Sequence, residues 1–166
     1  MRKFKLSNIK PTLMAAVLGV SSFAIVANPS VALAAGSETI WATQWKTSGA
    51  SSVVNRNGIG TVAKVKYKGT LSSSKASKLI RTNKGKTVKV CVKFATNGKP
   101  NVGVSVFSSG MSTPVNIKSS SKSLVNSCVY RVVNNYYTSG MGKITLHSYG
   151  PSDGILYIKN VSVTVQ

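Results

Sequence analysis

Val88-Lys89-Val90-Cys91-Val92-Lys93-Phe94 and, upstream of it, Ala63-Lys64-Val65-Lys66-Tyr67-Lys68 alternate apolar and polar residues strictly in twos. Successive side chains of an extended chain point to opposite faces. Val88, Val90, Val92 and Phe94 therefore share a core face, with Lys89, Cys91 and Lys93 on the other. By the same rule Ala63, Val65 and Tyr67 turn inward, and Lys64, Lys66 and Lys68 turn outward. A helix would space its apolar residues by three and four, so both stretches read as strands buried on one side.

Working outward, residues 102–107, 115–118, 124–133, 143–149 and 155–165 are further runs rich in β-branched and aromatic residues. Between them lie Asn97-Gly98-Lys99-Pro100, Ser108-Ser109-Gly110, Ser139-Gly140-Met141-Gly142 and Gly150-Pro151-Ser152-Asp153-Gly154. These carry the residues that accept positive φ or preset a turn. Short strands at this spacing predict an all-β, antiparallel β-sandwich or barrel. The serine runs 72–74 and 119–121 read as loops, and 75–81, which fits neither period cleanly, is read as strand from its neighbours.

The first 34 residues have a different character. Arg2, Lys3, Lys5 and Lys10 precede a nearly unbroken apolar stretch from Leu13 to Ala27, and Ala32-Leu33-Ala34 offers small residues where a signal peptidase reads them. The stretch is shorter than the roughly 20 residues a spanning helix needs, and Asn28-Pro29 ends it. Residues 1–34 are expected to be a secretory signal peptide cleaved after Ala34. Residues 35–166 are then a single secreted, extracellular domain with no transmembrane segment.

The whole chain carries 22 Lys and Arg against 2 Asp and Glu. With the four basic residues of the leader removed, 18 remain against the same two acids, a net charge of +16. Glu38 and Asp153 cannot neutralise so many ammonium groups, and most must face water or an external anion. Cys91 and Cys128 are the only cysteines, and in an exported chain they are expected to form one disulfide bond. With His147 as the only histidine and no ligand spacing, no metal site or cofactor is expected.

A resemblance adds to this. Asn83-Lys84-Gly85-Lys86-Thr87-Val88-Lys89-Val90 is similar to the turn and central strand of jelly-roll carbohydrate-binding modules of the galactose-binding-like type. Gly154-Ile155-Leu156-Tyr157-Ile158-Lys159-Asn160-Val161-Ser162-Val163-Thr164-Val165 resembles their last strand. The resemblance implies a jelly-roll sandwich and a carbohydrate-binding role. Such modules commonly have an acidic residue where this chain has Lys159, so no ion or sugar contact is carried over to that position.

Catalysis is not expected. Glycosidic hydrolysis normally needs two carboxyl groups close together, and the only candidates are Glu38, in what reads as a flexible start, and Asp153, in a turn. His147 in an alternating strand reads as a surface or packing residue rather than a general base.

Binding remains, and the partner is expected to be a polysaccharide or other polyanion, including non-specific nucleic acid or a cell-wall polymer. The lysines Lys64, Lys66, Lys68, Lys89 and Lys93 would follow a charged backbone. Trp41, Trp45, Tyr136 and Tyr137, with Tyr149, are the candidates to offer ring faces to sugars, with Gln44, Asn134, Asn135 and Thr138 to read hydroxyls; the alternative for the tryptophans is that one or both cover the sandwich core. The competing class is a basic antibacterial or membrane-active toxin acting on anionic cell surfaces, for which no long amphipathic helix speaks.

Overall fold

The computed structural model describes residues 36–111, 114–135 and 142–166. The expected signal peptide, and Tyr136, Tyr137 and Thr138, lie outside the described residues.

Two antiparallel sheets face each other. The first joins β3 (Ser51–Arg56), β4 (Gly60–Lys66), β11 (Ile155–Val165), β6 (Thr87–Thr96) and β9 (Val125–Val132) in that order, and β1 (Gly36–Trp41) pairs with the second half of β11. The second runs β2 (Lys46–Ser48), β5 (Thr70–Ser73), β10 (Ile144–Tyr149), β7 (Gly103–Ser108), β8 (Val115–Lys118). The core between them takes the alternate residues anticipated from the pattern: Ala63 and Val65, Val88 to Phe94 in steps of two, Val104 and Val106, Ile144 and Leu146. All of these are essentially sealed from solvent.

In β11 the buried set is Leu156 and Ile158, then Val161, Val163 and Val165. The step of three marks a bulge. Ile158 pairs with Phe94 and Asn160 with Lys93, which leaves Lys159 as the extra residue. The bulge keeps both halves of this strand facing the core.

The disulfide between Cys91 and Cys128 forms, with the two cysteines directly opposite on β6 and β9 and on the outward face. It aligns the edge strand β9 with the centre of the sheet.

Several expectations need correction. Residues 77–82 form the helix α1 (Ser77–Thr82), not a strand. Ala76, Leu79 and Ile80 recur at helical spacing, and Ala76 and Ile80 are fully buried beneath it. Ser72 and Ser73 are not loop but strand, because β5 is hydrogen-bonded to β2 on one side and β10 on the other. Glu38 lies in β1, paired opposite Val163, rather than in a flexible start. Tyr67 is exposed, not core, because β4 ends at Lys66. Lys68 leaves the strand face altogether: it occupies the turn with φ 61°.

Candidate functional site: the outward face of the six-stranded sheet

Ladder register decides which side chains meet on this face. Lys64 on β4 stands opposite Ser52 on β3 and Tyr157 on β11. Lys93 on β6 stands between Asn160 of β11 and Asn126 of β9, and Lys89 between Thr164 and Tyr130. The lysines of β4 and β6 are therefore on one face of one sheet, with β11 between them. Strand spacing puts Lys64 and Lys93 about 12 Å apart, and the line from Lys66 through Lys64 and Lys93 to Lys89 spans roughly 28 Å. That is comparable to a few sugar residues laid along the sheet.

One row has the chemistry of sugar recognition. Trp41 on β1 faces Asn160, and Asn160 faces Lys93, which faces Asn126. Trp41 is on the outward side because Ile40 is buried, and 49 % of its surface is free. A ring face, two amides and an ammonium thus stand side by side. The neighbouring rows add hydroxyls, Thr39 with Ser162 and Ser37 with Thr164. Tyr130, 50 % exposed, closes the far corner, with the Lys89 Nζ 5.6 Å from its ring centre.

Small hollows mark the β4 side. Lys64 and Lys66, with Gly49, Ala50, Ser51 and Ser52, line one of about 310 Å³. Trp41, Thr43, Thr61 and Lys159 line a smaller one of about 110 Å³. Lys159 is held there by donating to the Ile59 carbonyl at 2.8 Å.

Among the described residues no side-chain carboxylate reaches this face. Glu38 lies 4.0 Å from the Lys75 Nζ, and Asp153 pairs with Lys99 at 2.8 Å in the turn before β11. The Lys99 ammonium holds the Asp153 carboxyl below its ordinary range and is itself held above its own. Glu38 sits level with Val163 and Asp153 lies beyond Ile155, so the two acids are more than about 20 Å apart along β11. Paired-carboxylate hydrolysis needs roughly 5 to 10 Å.

The other aromatic candidates separate. Trp45 is only 6 % exposed and belongs to the core, where the chain crosses from β1 into β2, so it is withdrawn from the ligand site. Tyr149 lies on the outward side of the second sheet, against Gly103 and under Lys118, away from the lysine face. Burial of its hydroxyl, which has no hydrogen-bond partner among the described residues, pushes the phenol's pKa up. Gln44 is occupied in closing its own turn, accepting from the Trp41 amide and the Lys75 Nζ. His147 is exposed and bonded to the Thr70 Oγ1 at 3.1 Å.

Comparison with solved structures places this sandwich. It superimposes on a family 35 carbohydrate-binding module from Clostridium thermocellum with a TM-score of 0.57, 11% identity, and coverage of 78% of this chain and 98% of that one. The first carbohydrate-binding module, of family 36, in a xylanase from the hindgut metagenome of Trinervitermes trinervoides gives 0.55, 11%, 77% and 96%. A module of the Cellvibrio mixtus lichenase 5A, solved in complex with cellotriose, gives 0.51, 10%, 76% and 95%. The fold is the jelly-roll of carbohydrate-binding modules. No family model matches the sequence. No curated protein matches it either.

Asn126, Tyr130, Asn160 and Arg56 escaped the sequence reading. The first two were within reach: once Cys91 and Cys128 are taken as a directly opposed pair, stepping two residues either way sets Lys89 against Tyr130 and Lys93 against Asn126. Asn160 and Arg56 depend on the bulge and on a hairpin register that no local pattern announces.

Proposed function

We propose that this chain is a secreted, non-catalytic polysaccharide-binding protein, and that the outward face of the six-stranded sheet is its binding surface, with a preference for acidic polymers. The observation that carries this reading is the cross-strand row Trp41, Asn160, Lys93, Asn126 set within a carboxylate-free lysine stripe. Rings and amides give contact with the sugar faces and hydroxyls. The ammonium groups give an attraction that falls as salt rises. Similar sandwiches solved in complex with cellotriose and with xylotriose support a glycan as partner.

A glycan array probed at low and high salt tests the proposal. Binding concentrated on acidic polysaccharides at low salt, with a residue of binding that survives high salt and is lost in Trp41→Ala, is the expected result. Absence of glycan binding together with leakage of anionic vesicles would transfer the function to the membrane-active class. Among the described residues no helix is long and apolar enough to cross a membrane.

A further inference from the structure

Resting on that reading, we propose a located subsite for an anionic substituent of the polysaccharide, a carboxylate or a sulfate ester, in the groove between the β3–β4 hairpin and the loop joining β8 to β9. The groove, of about 380 Å³, is lined by Arg56, Asn57 and Ile59 from the hairpin and Lys122, Ser123 and Leu124 from the loop. It adjoins the lysine stripe, because the Arg56 guanidinium lies over the ring of Tyr157, the residue opposite Lys64.

Arg56 is poised without a partner. Its residue on the facing strand is Gly60, which presents no side chain, so the guanidinium folds inward over the sheet and stacks 3.9 Å from the centre of the Tyr157 ring. Among the described residues the guanidinium has no hydrogen-bond acceptor, and its Nη1 is buried. Buried charged donors left unmade are costly, so a small shift of the side chain that brings Nη1 to an acceptor in the groove is favoured. Lys122 is positioned in its turn by packing. Gly98, at φ +88°, leaves room where a Cβ would come within 2.6 Å of the lysine Cε, and among the described residues Lys122 forms no ion pair.

Two cations fixed by a ring and a glycine, rather than by carboxylates, describe a receptor for an oxyanion. A planar guanidinium delivers two parallel N–H groups to the two oxygens of a carboxylate or sulfate, which a lysine cannot reproduce. Because stacking has already ordered the arginine, less conformational freedom is lost on binding.

The test is calorimetry at fixed ionic strength with three hexasaccharides: a galacturonate oligomer, a heparin-derived sulfated oligomer, and neutral cellohexaose. Arg56→Lys keeps the charge and is expected to weaken one or both acidic oligomers by roughly tenfold while leaving the neutral one unchanged. Which oligomer loses identifies the substituent. Lys122→Gln should cost less, and Lys143→Gln, outside the groove, less still.

Arg56→Lys binding the acidic oligomers as tightly as wild type, or Arg56→Gln losing no more than Lys143→Gln, overturns the subsite while leaving the sheet-face reading intact. An equal loss for a single-stranded dodecanucleotide also overturns it, since the groove would then serve any polyanion. Wild-type protein that binds none of the three hexasaccharides removes both readings together.

Discussion

Replacing Cys91 and Cys128 together by serine should cost the domain roughly 4 kcal/mol, because the bond closes a loop across a sequence separation of 37 residues and the unfolded chain regains that freedom. Serine is a clean substitute here. Cys128 is exposed and Cys91 only 8 % exposed at the outward surface, so no core cavity is opened. For a domain of this size the loss corresponds to a fall in Tm of roughly 15 °C. Urea unfolding of wild type and the double variant, followed by tryptophan fluorescence, measures it directly, since Trp45 is buried in the core. The variant should also bind glycan less well near its lowered Tm, because β9 is an edge strand and supplies Tyr130 and Asn126. A loss under about 1 kcal/mol would refute the argument that the cross-link acts by restricting the unfolded chain.

Trp45→Ala should destabilise by about 3 to 5 kcal/mol while Trp41→Ala stays within about 1 kcal/mol but loses glycan affinity, which thermal melts and binding titrations run in parallel will separate. Secreted protein should begin at Ala35 by intact-mass analysis, and retention of residues 1–34 would contradict the reading of the leader. The Asp153 carboxyl is held below its ordinary range by Lys99, so its contribution is present above its unfolded pKa and lost as pH falls through the folded one. Asp153→Asn should therefore melt slightly below wild type at pH 6, and the two curves should converge as the pH falls below the ordinary carboxylate range.

The strands that could be read from the sequence, β4 and β6 to β11, are those whose alternation is enforced by burial on one side, most clearly β6 in Val88 to Phe94 and the two halves of β11. Polar strands escaped notice. Ser72 and Ser73 of β5 and the exposed Lys46 to Ser48 of β2 gain their strand character from ladder bonds to neighbours distant in sequence, and such bonds leave no local signature.

The lysines illustrate the same limit. Period two placed Lys64, Lys66, Lys89 and Lys93 on outward faces, but a strand end decided Lys68, whose φ of 61° puts it in a turn. The two tryptophans, four positions apart, have similar local surroundings. The chain's crossing between sheets after β1 buries Trp45 and leaves Trp41 outside. The groove at Arg56 needs the hairpin, the Tyr157 ring and the β8–β9 loop at once, a coincidence of three segments invisible along any one of them.

The salt dependence of binding to an acidic polysaccharide, measured for wild type, for Lys64→Gln/Lys66→Gln/Lys89→Gln combined and for Lys118→Gln/Lys143→Gln combined, decides whether the outward sheet face carries the binding. Lys118 lies on the second sheet, so the last variant lowers net charge without touching the proposed face. The triple variant should bind more weakly and flatten the slope of log K against log salt by about 2 units, while thermal stability stays nearly unchanged and the control changes the slope little. Losses in the two variants that scale only with the number of charges removed would contradict it, and binding would then belong to the net charge of the domain rather than to one face.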